Sequence, residues 1–76
     1  MKFYITYFHK EGASPEGITL IPIECKDINA AKATAVSMRT SILNDKRLEE
    51  KKVAHICNDE RLILCTLNLV DGTISE

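Results

Sequence analysis

The spacing of apolar positions changes period along this chain, and the changes mark its elements. From Lys2 to His9, "KFYITYFH" alternates: Phe3, Ile5 and Tyr7 share one face, with Tyr4, Thr6 and Phe8 on the other. Aromatic and β-branched residues in that rhythm predict a strand. "KEGASPEG", Lys10 to Gly17, is rich in Gly, Ser and Pro and predicts an exposed loop. "ITLIPIEC", Ile18 to Cys25, predicts a second strand with Thr19, Ile21, Ile23 and Cys25 on one face. Pro22 cannot donate a ladder hydrogen bond, so that strand belongs at a sheet edge or carries a bulge.

Within "IECKDINAAKATAVSMRTSIL", Ile23 to Leu43, the period of two gives way to spacings of three and four. Ala31, Ala35, Met38 and Ile42 then form one apolar stripe of a helix. Lys32, Ser37, Arg39 and Thr40 fall largely on the other faces, toward solvent. Asn29 is the expected N-cap, because its side-chain oxygen can accept from a free amide of the first turn, and Ile28 is placed to staple onto Ala33. The alanines allow the helix to lie close on a sheet. "NDKRLEEKK", Asn44 to Lys52, has Leu48 as its only apolar member, and reads either as more helix or as a turn after a break near Asn44. "VAHICNDERLILCTLNLV" then predicts a hairpin around Asn58, Asp59 and Glu60. Its second strand, Arg61 to Leu69, is the most apolar and is placed centrally in the sheet. Asp71-Gly72 is a turn signal, with Thr73 to Ser75 as a short further edge.

The predicted order is β-β-α-β-β: an α+β fold with a four-stranded antiparallel sheet and one helix packed on one face, in a single domain spanning residues 1–76. One helix covers one face only. Tyr4, Phe8, Leu20, Leu62 and Leu64 are expected on the other, which must be covered by the charged segment or by another chain, either a homodimer mate or a partner.

Composition narrows the function. Seventy-six residues build one core and bury only roughly 60% of the unfolded chain's surface, so stability is expected to be modest. Ten basic against eleven acidic side chains leave a net charge of -1, without the positive excess of a dedicated DNA binder. Three cysteines, no signal-peptide pattern in "MKFYITYF" and no long apolar window predict reduced thiols, a cytoplasmic location and no membrane span. Met1 leads to the further expectation that the chain is the whole native product.

Catalytic and metal chemistry find no support. His55 and Cys57 share a strand face, but a turn at Asn58 to Glu60 puts Cys57 opposite Arg61 or Leu62 and Cys65 near Val53. Zinc would lack converging third and fourth ligands, so no metal site is expected. Cys25, just before the helix, belongs to the inward-facing set, where a buried thiol is inert. Glu49-Glu50 and Asp59-Glu60 are adjacent in sequence, so their side chains diverge. The three glycines are scattered in turns and make no phosphate-cradling loop. No catalytic residue and no cofactor is expected.

Lys32, Arg39, Lys46, Arg47, Lys51 and Lys52 would suit phosphate contacts, yet Asp45, Glu49 and Glu50 interrupt them. A nucleic-acid-associated accessory role is therefore the alternative, not the first reading. The exposed charges of the helix and the following segment, Lys32, Arg39, Lys46, Arg47, Glu49 and Glu50, are the candidate partner-binding residues.

The layout, with Asp27, Ile28, Ala30 and Ala31 at the helix start and a terminal hairpin, resembles short proteins of bacteriophages and prophages. In particular it is similar to some small anti-CRISPR proteins. The resemblance implies inhibition by binding: a small phage-type protein that docks on a CRISPR-Cas complex and blocks target DNA, with no active site. Such proteins dock differently, so no binding residue carries over, and the "NDKRLEEKK" insertion departs from their pattern. The expected function is non-enzymatic protein–protein binding to a host protein or complex; an uncharacterised prophage role is the other alternative.

Overall fold

A computed structural model describes residues 1–10 and 17–76. The strands are β1 (Lys2–Phe8), β2 (Ile18–Glu24), β3 (Val53–Cys57), β4 (Ile63–Asn68) and β5 (Ile74–Ser75), with helices α1 (Ile28–Ser37) and α2 (Arg39–Leu43) between β2 and β3. All five strands form one antiparallel sheet in the order β2-β1-β3-β4-β5. The fold is α+β as predicted, with the short terminal edge realised as a fifth strand. Residues 11–16 of the predicted Lys10–Gly17 loop lie outside the described residues.

Alternation in β1 sets the core. Phe3, Ile5 and Tyr7 stand opposite Ile23, Ile21 and Thr19 of β2. Ile5 also faces Ile56 of β3, which in turn faces Cys65 of β4. With Ala54 and Leu67 these residues form the face on which Ala31, Ala35 and Ile42 pack. The predicted helical stripe is therefore the buried one, Met38 included as a half-buried member. Ala31 and Ala35 are fully buried; their methyl groups let the backbone approach the sheet.

Several expectations are corrected. The N-cap is Asp27, not Asn29: its Oδ1 accepts from the Ala30 amide at 2.8 Å. Asn29 stands exposed in the first turn. Since Ile28 is already helical, it cannot serve as the residue before the cap that staples onto Ala33. The strand ends at Glu24, and the first capping side chain after it takes the position. Asp27→Ala is expected to cost about 0.5–2 kcal/mol, read as a lowered midpoint in urea with an unchanged slope.

The single predicted helix is interrupted at Met38, whose amide is shared between Thr34 O and Ala35 O, both at 3.1 Å. The hydroxyl of Ser37 also donates to Thr34 O at 2.8 Å. A hydroxyl competing for a helical carbonyl loosens the turn and bends the axis. The chain re-enters helix at Arg39 without losing phase, so Ile42 still faces the core.

Asn44–Lys52 is not more helix. The helix ends at Leu43, and Leu48 returns to pair with His9 as an isolated bridge past the end of β1. The Lys10 amide donates to Arg47 O at 2.7 Å and the Glu49 amide to Phe8 O at 3.2 Å. Leu48 is buried in the core cluster on the helix side. The charged segment thus adds Leu48 to the covered layer.

The hairpin also differs in register and position. Its turn is held by Asn58, whose Oδ1 accepts from the amides of Glu60 at 2.9 Å and Leu62 at 3.0 Å, with Arg61 at φ 67°. Cys57 faces Ile63, and Cys65 faces Ile56; it is not near Val53, which faces Asn68. The extra residue is a bulge that flips the side-chain alternation. Leu64 therefore joins Phe3 and Ile28 on the helix side, and Ile63 takes the outward place expected of Leu64. β3, not the more apolar β4, is the central strand. Pro22 does sit in an edge strand, as its missing donor requires.

Candidate functional site

The sheet face opposite the helices is built row by row from strand register. One row crosses all five strands: Leu20, Thr6, His55, Thr66 and Ser75. Toward one end lies the row Pro22, Tyr4, Cys57 and Ile63. Toward the other, Phe8 stands opposite Ile18. No described element lies across this face. Phe8 is 42% exposed, Leu20 36% and Ile63 59%. Thr6 and Cys57 are nevertheless buried, because the larger side chains of neighbouring rows close over them.

Two pairs of polar side chains meet at the centre of this face. Nδ1 of His55 and Oγ1 of Thr66 are 3.0 Å apart. Thr6 Oγ1 and Cys57 Sγ are 3.9 Å apart. The His55 ring meets Phe8 edge-on with centroids 6.0 Å apart. Lys2 and Arg61 each place a cation over the Tyr4 ring, at 5.8 and 5.7 Å from its centroid. Arg61 does so from a left-handed backbone position that a glycine would occupy at less cost. Lys2 also stands opposite Glu24 across β1 and β2.

The residues predicted as a binding set are divided by the fold. Lys32 Nζ makes an ion pair with Glu76 at 3.1 Å. Arg39 donates from Nε to Leu69 O at 3.1 Å and from Nη2 to Val70 O at 2.6 Å, holding the β4–β5 turn. Both are half-buried, not free on a solvent face. Arg47 is exposed and bound to Asp45 through Nη2 at 3.1 Å. Lys46 and Glu50 are exposed and Glu49 half-buried. Glu49 and Glu50 line a shallow depression with His9, Lys10 and Lys51, while His9 shares a short hydrogen bond with Thr19.

Asp45 links the charged segment to the core by accepting from Tyr7 Oη at 2.7 Å. The Arg47 side chain, followed by Tyr7 and the Arg47 amide, holds the Asp45 carboxyl well below the usual carboxylate range. Burial, then the bond to Asp45, pushes the Tyr7 phenol up. With a depressed folded value, the carboxylate's contribution to stability is complete above the ordinary Asp range and is lost as pH falls through the folded value. The phenol's contribution is complete below pH 10 and is lost as pH rises through its raised value. Asp45→Asn is therefore expected to be less stable than wild type at neutral pH, with the difference shrinking toward pH ~2 as the unfolded wild-type carboxyl takes up a proton ahead of the folded one. Parallel urea midpoints at both pH values would contradict this role.

All three cysteines are free thiols. Cys57 and Cys65 are buried and Cys25 is half-buried; burial raises the Cys65 pKa, and Cys25 Sγ lies 3.7 Å from Thr34 Oγ1. Among the described residues no group of three His, Cys, Asp or Glu side chains could hold a metal ion, and no helix is long and apolar enough to cross a membrane. A second concavity, at the helix start, is lined by Met1, Phe3, Ile28 and Leu64 with Asp27 and Glu76. Both of its carboxylates are already used, Asp27 on the helix cap and Glu76 on Lys32.

Strand alternation pointed to Tyr4, Phe8 and Leu20 as outward residues. It did not reveal Ile63, hidden by the bulge, or Arg61, whose place over Tyr4 comes from a turn conformation. No family model matches the chain, and neither a curated protein nor a solved structure matches it.

Proposed function

We propose that this chain is a non-enzymatic binding protein that works by protein association through the uncovered face of its sheet. The observation that carries this reading is the combination on one face of exposed Phe8, Leu20 and Ile63 with a centre where His55 pairs with Thr66 and Thr6 with Cys57. Such a surface loses apolar contact with water on association and strands few polar atoms, which favours burial. A surface that recognises a small polar molecule presents unpaired donors and acceptors instead.

The resemblance to short anti-CRISPR proteins supplies the target class for this reading, a CRISPR-Cas complex. Its four matching residues have local duties: Asp27 caps α1 and Ala31 packs in the core. A reconstituted CRISPR nuclease titrated with the chain tests that class. Target cleavage unchanged at excess chain removes it and leaves the binding reading standing.

The binding reading is tested by capture with tagged chain, from lysate supplemented with untagged chain. Wild type is expected to retain protein that Phe8→Asp and Leu20→Lys lose. Equal recovery by wild type and both variants would overturn it.

A further inference from the structure

We infer that the occupant of the uncovered sheet face is a second copy of this chain, packed face to face as a two-layered sandwich with the helices outside. The inference rests on the binding reading above and names its partner.

Shape favours an identical mate. Two sheets stack well when their twists agree, aligned at roughly 30° and about 10 Å apart, and a copy has the same twist by construction. The strand residues of β1 to β5 tile roughly 400 Å² of plane at the usual strand spacing and rise. Relief from Tyr4, Phe8, Leu20 and Ile63 carries the accessible area toward the ~600–800 Å² per partner of a specific interface. The centre of the face is low, with Thr6 and Cys57 buried, and its higher points are Phe8, Leu20 and Ile63, an arrangement in which ridges of one copy find troughs of the other.

Charge and hydrogen bonding point the same way. The cations on the face, Lys2 and Arg61, both lie over one ring, the carboxylate of Glu24 opposite Lys2 pairs with the Met1 amine at 3.2 Å, and the chain carries a net charge of -1. This is too little positive charge to hold a nucleic-acid backbone, whose affinity comes mostly from phosphate neutralisation. Pairing of His55 Nδ1 with Thr66 and of Thr6 with Cys57 leaves fewer free polar groups at the centre to desolvate.

Sedimentation of the purified full chain over a range of concentrations tests this. The expected result is a reversible species of twice the 8.5 kDa of one chain. Phe8→Asp and Leu20→Lys should each weaken it at least about tenfold, the size expected for a charge placed in an apolar interface centre, while circular dichroism stays that of wild type. Val36→Lys, on the exposed side of α1, which packs on the other face of the sheet, should leave it unchanged.

A chain monomeric up to about millimolar concentration, where even weak specific contacts register, would overturn the inference. So would a dimer indifferent to both face variants. Monomeric chain that retains a foreign protein or an oligonucleotide through Phe8 and Leu20 also overturns it; the foreign protein leaves the binding reading intact, the oligonucleotide does not. A face-dependent dimer that retains nothing foreign supports it.

Discussion

Ile5→Ala is expected to remove about 2–5 kcal/mol of stability, in a chain whose length suggests a total of about 4–11 kcal/mol. Ile5 is fully buried at the meeting point of three strands, opposite Ile21 on one side and Ile56 on the other, beneath the helix layer. Truncation removes its transfer free energy and leaves a cavity. The surrounding strands cannot close that cavity without breaking register, because both neighbours are hydrogen-bonded to β1. A thermal midpoint lowered by at least about 10 °C is the measurable consequence in a domain of this size. Wild type and variant must be compared at one protein concentration, since association stabilises the folded chain. A shift smaller than about 4 °C, equivalent to less than about 1 kcal/mol, would mean that Ile5 is not the packing centre.

Leu48→Ala should cost nearly as much, about 2–4 kcal/mol, with a different signature. Leu48 is the anchor of an otherwise charged segment: it is 6% exposed, and its bridge to His9 sets the course of the chain from α2 to β3. Its loss should free 44–52 before the rest of the sheet opens. Native-state hydrogen exchange reads this directly. The amides of Lys10 and Glu49, which bond to Arg47 O and Phe8 O, should exchange far sooner than those of β1 and β3. Uniform acceleration across all strands would show that the segment has no stability unit of its own.

These two residues show what was legible and what was not. Ile5 was visible as a core position because alternation in "KFYITYF" needs only the period of the strand. The alanine stripe of α1 was visible for the same reason. Leu48 was noticed as the only apolar residue of its segment, yet periodicity gives no direction to an isolated leucine. Its burial follows from where β1 ends and where α2 delivers the chain.

The candidate surface divides the same way. Tyr4, Phe8 and Leu20 on the uncovered face follow from alternation. Lys32 and Arg39 were expected toward solvent, because a helical wheel counts the stripe facing the sheet and ignores elements arriving later in the chain. Glu76 and the carbonyls of Leu69 and Val70 meet them there. The six charges proposed from the sequence consequently belong to different neighbourhoods.

By itself the sequence determined the class of fold, the helix stripe and the outward place of Tyr4, Phe8 and Leu20, because these depend on local period; the missing donor of Pro22 narrowed β2 to a sheet edge or a bulge. Tertiary structure alone decided the fifth strand's pairing, the central place of β3, the bulge that turns Ile63 outward and Leu64 inward, and the contacts that occupy Lys32 and Arg39. Each of those depends on which segments far apart in the chain meet, and meeting is set by packing of the whole sheet against its helices, not by any local pattern of residues.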